Sequence, residues 1–146
     1  MSSVDGLGNL QRALQALGDG ASAALGKAVL AGGFALEGKI KESMGEQKSG
    51  RMYGKHQASA PGEAPAIDTG ALLNSINTEL TAATPTKAEG QVATNQVYAP
   101  PLEFGTSRMA ARPFMRPAAD KHQDKVAEAT QAALAKAIKE ASHAGS

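Results

Sequence analysis

The chain contains no cysteine and no tryptophan, and its 146 residues include only three phenylalanines and two tyrosines: Phe34, Tyr53, Tyr98, Phe104 and Phe114. Without cysteine there is no disulfide framework, no thiolate nucleophile and no Cys-ligated zinc, and a reducing compartment is the natural assignment. Long apolar runs are missing too. The longest, Ala28 to Leu36, is nine residues with two glycines in it, far short of the roughly 20 that span a bilayer. The N-terminus lacks a basic start followed by an apolar run, so an unprocessed soluble chain is expected. Neither charge sign dominates: 15 Lys and Arg stand against 14 Asp and Glu, a net charge of +1. That balance argues against a general electrostatic binder of nucleic acid.

What is abundant is alanine and glycine, which together make up nearly a third of the chain. Apolar faces built from methyl groups return less per residue than leucine or phenylalanine faces. A small, shallow core is therefore expected, with part of the apolar surface completed by other subunits. The length suits one domain, residues 1–146.

Leu7, Leu10, Leu14, Leu17, Ala21, Leu25, Ala28, Leu36 and Ile40 recur at helical steps, interrupted at Gly18-Asp19-Gly20. This predicts a short helix, a break, and a longer helix to about residue 44. Residues 45–66 hold glycines, two prolines and few large apolar side chains. They read as a long loop, mobile in the isolated protein and ordered on assembly. Within 67–116, Asp68 caps a short helix through Leu72 and Leu73. Thr78 and Leu80 then alternate against Asn77, Glu79 and Thr81, and Thr84–Lys87 turns the chain into a second strand from Ala88 to Asn95. Val97-Tyr98-Ala99 reads as a further strand stopped by Pro100-Pro101, and Pro113-Phe114-Met115 as another extended piece. The final helix, 117–142, has Pro117 in its first turn and a face of Ala119, His122, Val126, Ala129, Ala133, Leu134, Ala137, Ile138 and Ala141. The expected class is α+β: a long N-terminal helical segment, a small mainly antiparallel sheet, and a C-terminal helix packed on it.

Several motifs have a chemical and a plainer reading. Gly33 to Lys39 fits the glycine and lysine spacing of a phosphate-binding loop, but Ile40 stands where magnesium needs a hydroxyl and the stretch lies in a helical stripe. Close helix approach at Gly32, Gly33 and Gly38 is preferred. Asp68-Thr69-Gly70-Ala71 matches the short aspartic-protease signature, yet Leu72, Leu73 and Ile76 follow at helical spacing, which favours a helix cap. His56, His122 and His143 have no partner at metal-ligand spacing. Arg108, Arg112 and Arg116 read as partners of carboxylates within or between subunits, ahead of phosphate contacts.

The stretch from Asp68 to Pro117 resembles the neck, or head-tail joining, proteins of long-tailed bacteriophages. The residues that carry the likeness are Asp68-Thr69-Gly70-Ala71-Leu72 with Ser75-Ile76, Tyr98-Ala99 leading to Leu102-Glu103-Phe104-Gly105-Thr106, and Ala111-Arg112-Pro113-Phe114-Met115-Arg116-Pro117-Ala118. The proline-containing lead-in at 60–65 is similar as well. Residues 1–44 match only in helical character.

The resemblance implies a structural virion protein of the neck or tail, made in the host cytoplasm. Six copies, or alternatively twelve, would form a ring between the head connector and the tail, with genomic DNA passing through its channel without sequence-specific binding. No enzyme activity, cofactor, metal or membrane is expected. Asp68, Tyr98, Phe104, Gly105 and Phe114 are the expected structural anchors, the three rings being buried together. Lys48, Arg51, Lys55, Glu103, Arg108, Arg112 and Arg116 are the expected contacts with neighbours, Glu103 meeting an arginine. Two readings from other classes stand beside this one: a small aspartic-type hydrolase using Asp68, and a DNA-binding accessory protein using Lys48, Arg51, Lys55 and the arginines of 108–116.

Overall fold

A computed structural model of the chain describes residues 20–67 and 70–144. The elements are α1 (Gly20–Gly45), β1 (Met52–Tyr53), β2 (His56–Gln57), α2 (Ala71–Ser75), β3 (Asn77–Ala83), β4 (Ala88–Ala93), α3 (Ala99–Phe104), α4 (Arg116–Lys121) and α5 (Gln123–Ala144). The fold is α+β, with two small antiparallel sheets, β1–β2 and β3–β4. The expected helix before residue 18 and the cap at Asp68 lie outside the described residues. The position before α2 is Gly70, at φ +82°.

The described residues fall into two compact units. The first takes α1 through Gly33, Thr78–Gln91, and α5 from Asp124. Its buried apolar side chains, among the described residues, are all alanines: Ala21, Ala24, Ala28 and Ala137. Contact there depends on close approach. A methyl at Gly33 would strike Thr78 of β3, one at Gly32 would strike Thr130 of α5, and one at Gly26 would lie 3.1 Å from Leu80 Cδ2. Alanine and glycine in α1 thus admit a strand on one side and a helix on another. Gly38 does not belong with them, since nothing lies within 4 Å of its missing methyl. The half-buried alternation expected of β3 holds only at Thr78: Leu80 reaches Gly26 of α1 with its Cδ2 but is itself exposed, like the rest of the strand. Thr84 closes the hairpin, its N–H donating to Lys87 O at 2.7 Å and its hydroxyl accepting from Lys87 N–H at 3.0 Å. On α5 the half-buried or buried positions include Val126, Ala129, Ala133, Leu134, Ala137 and Ile138, the face expected from spacing.

The second unit takes Phe34–Asn77 and Val92–Gln123. Ile40 and Met44 of α1, Leu72, Ile76, Ala99, Phe114 and Ala118 form its core, flanked by Leu36, Ala64, Leu73, Val92, Leu102 and Met115. The larger apolar side chains of the core are therefore concentrated here.

Three segments differ from the sequence expectation. Residues 45–66 are not a structureless loop. They contain the β1–β2 pair, with Met52 opposite Gln57 and Tyr53 opposite His56, while Lys48, Ser59 and Pro65 are buried. Backbone bonds and one carboxylate hold the segment, so apolar periodicity carries no trace of it. Residues 97–99 are not a strand: Ala99 opens α3, with proline in its first turn. The first N–H groups of a helix have no intrahelical acceptor, so prolines there cost no hydrogen bond and preset φ. The C-terminal helix is two helices, because His122 leaves the helical region at φ −114° and ψ 23°. Asp124 then sits in the first turn of α5, where a negative charge suits the helix dipole.

Candidate interaction surface

The second unit presents two features that its own packing does not use. One is a trough of about 520 Å³ whose lining includes Val92, Val97, Pro100, Phe104, Met115 and Arg116. The other is the β1–β2 hairpin, where Met52 and Tyr53 are exposed.

The trough follows from the geometry of α3. Ala99 is buried and Leu102, one turn on, packs against the core. Phe104 is two residues further, about 200° round the helix, and is left 74% exposed. Val97, just before the helix, is 89% exposed. The expected burial of Phe104 is thus corrected, and so is that of Tyr98, which is exposed; among the three rings of this stretch Phe114 alone is in the core, at 1% exposure.

Glu103 holds the opposite wall. Its Oε1 accepts from the N–H groups of Phe114 at 3.0 Å and Met115 at 2.9 Å, and its Oε2 from Arg116 N–H at 3.2 Å. The carboxylate therefore caps the start of α4, and the partner it finds is backbone, in place of the arginine side chain expected. Three consecutive backbone donors, from the residue before the N-cap to the first helical residue, converge on one carboxylate, and such charge-assisted bonds are the strong ones. Glu103→Ala should cost about 1–2 kcal/mol, read as a lower midpoint in urea unfolding, with Glu103→Gln intermediate because one carbonyl oxygen remains.

Gly105 ends α3 at φ +78° and ψ 174°. The chain then closes on itself: Thr106 N–H donates to Met109 O at 2.8 Å, and Arg112 N–H to Leu102 O at 2.6 Å.

The hairpin stands on a braced base. Gly50 N–H donates to Ala58 O and Ala58 N–H to Arg51 O, both at 3.0 Å. Glu63 accepts from Ala60 N–H at 2.6 Å, and from Ser49 N–H and Oγ at 3.1 Å each. Those backbone donors, with the Ser49 hydroxyl and the Lys48 charge, hold the Glu63 carboxyl below its ordinary pKa. A carboxylate depressed in the folded state stabilises it above the unfolded-state pKa, and that contribution is lost as pH falls through the folded-state value. Thermal melts of wild type and Glu63→Gln should therefore differ at neutral pH and converge as the solution is acidified through the carboxylate range.

Lys48 is buried and donates from Nζ to Ser43 O at 2.7 Å, in the last turn of α1. Burial lowers its pKa, opposed by the charges of Glu46 and Glu63. Arg112 Nε donates to Ser59 O at 3.3 Å. These two expected neighbour contacts are thus engaged inside the unit. Arg51, Lys55, Arg108 and Arg116 are exposed, and the Arg51 guanidinium lies 5.3 Å from the centre of the Tyr53 ring. Tyr53 and Met52 are exposed at the tip. Asp68 lies outside the described residues.

Met52, Val97 and Glu63 escaped the sequence reading as functional residues. The signal for Glu63 was absent, since its partners are backbone groups. Val97 could have been flagged once Pro100-Pro101 was read as a helix start, which removes the strand that would have buried it.

Among the described residues no group of three His, Cys, Asp or Glu could hold a metal ion, and no helix is long and apolar enough to cross a membrane. Gly33 to Lys39 lies within α1, not at the strand-to-helix junction a phosphate loop requires. No protein-family model, curated protein or solved structure matches this chain.

Proposed function

We propose that this chain is a structural component of the neck of a tailed bacteriophage, assembling into a ring that joins the head connector to the tail and encloses a channel for DNA. The observation that carries the reading is the placement of large apolar side chains outside the core. Val97, Phe104, Tyr53, Met52 and Phe34 are all more than half exposed, in a chain with few such residues to spend. Val97 and Phe104 lie together on the trough and Met52 and Tyr53 together on the hairpin, and grouped apolar exposure of this kind supports contact with another protein. The likeness of Asp68–Pro117 to neck proteins supplies the biological setting, and Val97 and Phe104 flank or fall within its motifs.

Six copies is the favoured ring, twelve the alternative, with neighbouring connector and tail proteins above and below. Mechanism is then binding alone, with no catalytic step. The competing reading as a DNA-binding accessory protein is weakened because Lys48 and Arg112, two of its six cations, are spent on Ser43 O and Ser59 O.

Light scattering on the purified full chain, with negative-stain imaging, tests the proposal. Rings with an open centre are expected. A chain that stays monomeric at high concentration overturns the reading, and a steep salt-dependent affinity for DNA would favour the accessory protein instead.

A further inference from the structure

We propose, resting on the ring reading above, that the contact between ring neighbours seats the hairpin tip of one copy, with Met52 and Tyr53, in the apolar trough of the next, against Val97 and Phe104. A ring is built from head-to-tail contacts, and such a contact needs two different surfaces on one chain that fit each other. The second unit carries such a pair: a hairpin with Met52 and Tyr53 exposed and an apolar trough, neither covered by the described residues. At about 520 Å³ the trough is within the range that takes up a group of several heavy atoms.

The tip is prepared for the role. Its base is fixed by the Gly50 and Ala58 backbone bonds and by Glu63, so little chain entropy is lost on docking. Arg51 lies over the Tyr53 ring and restricts it further. The trough does not repel the hairpin's cations as a block, since Glu103 as well as Arg116 belongs to its lining.

The area is of the right order. A fully buried tyrosine or phenylalanine contributes about 150–250 Å², so the exposed parts of Met52 and Tyr53, or of Val97 and Phe104, supply roughly a third of the ~800 Å² that each partner gives to a standard interface. That suits the apolar centre of a contact whose polar rim is Arg51, Lys55, Glu103 and Arg116.

The test uses the full-length chain with two double variants, Met52→Ser with Tyr53→Ser, and Val97→Ser with Phe104→Ser. All four side chains are exposed, so both variants should keep the wild-type far-ultraviolet circular dichroism spectrum and still unfold cooperatively. Each alone should lose the ring in light scattering. Mixed in equal amounts they should form one-to-one dimers and nothing larger, because the intact tip of one meets the intact trough of the other and no further pair remains. If wild type forms rings and either variant still does, the proposed contact is wrong and the ring reading stands. If both variants are monomeric and the mixture is too, tip and trough touch different partners and the proposal is overturned. A monomeric wild type overturns the ring reading, and this contact with it.

Discussion

Phe114→Ala should lower the unfolding free energy by about 3–5 kcal/mol, the usual cost of truncating a fully buried aromatic ring, whereas Phe104→Ala should change it by less than about 0.5 kcal/mol. The two rings are ten residues apart in the segment that carries the family likeness. Phe114 is 1% exposed and touches a core assembled from α1, α2, α3 and α4. Removing it leaves a cavity in the cluster that holds Ile40 and Met44 of α1 and Ile76 just past α2, and a close-packed core relaxes only partly into such a space. Phe104 has no such neighbours to lose. Urea denaturation followed by circular dichroism, with both variants and wild type diluted until each is monomeric, reads the difference directly. Equal destabilisation by the two would mean that Phe104 is buried after all, and would remove the trough. A second contrast is in assembly, where Phe104→Ala should weaken ring formation while leaving the isolated fold intact.

Gly105→Ala is expected to be nearly as damaging, for a reason of backbone. At φ +78° and ψ 174° the residue occupies a region that only glycine enters readily, and a side chain there costs about 1–3 kcal/mol. Space is lacking as well. A methyl group would stand 2.9 Å from Ala111 N and 3.1 Å from Met109 O, both backbone atoms that cannot swing aside. Relief requires moving 109–111, which carry the Thr106–Met109 bridge and lead into the turn that Glu103 caps. The effect should therefore reach the trough wall. Gly38→Ala is the control: it is helical, with open space around the added methyl, and should stabilise the protein by about 0.5–1 kcal/mol. Thermal melts of both variants give the signs, and a Gly105→Ala protein as stable as wild type would refute the argument.

Much of the fold was legible in the residues because it rests on local repetition. The face of α5 from Val126 to Ile138, the extent of α1 and the β3–β4 hairpin with its turn at Thr84 all follow from spacing. The hairpin at 52–57 did not, since each strand is two residues long and no period can be read from two. Nor did the break at His122, where neither proline nor glycine marks the change. The candidate surface was legible only in part. The motif segment drew attention to Tyr98, Phe104 and Phe114, but spacing cannot tell a ring in the core from a ring beside it.

By itself the sequence determined that the core would be poor in large side chains, that α1 could be approached closely, and that antiparallel strands would lie among helices. Composition and periodicity are sufficient for those properties. Only the tertiary structure decided which scarce rings are buried. Phe114 is drawn inward by a loop whose N–H groups bind Glu103, and Phe104, about 200° round α3 from Leu102, is left outside. That choice depends on side chains meeting backbone across eleven to thirteen residues, a distance over which linear pattern carries no information.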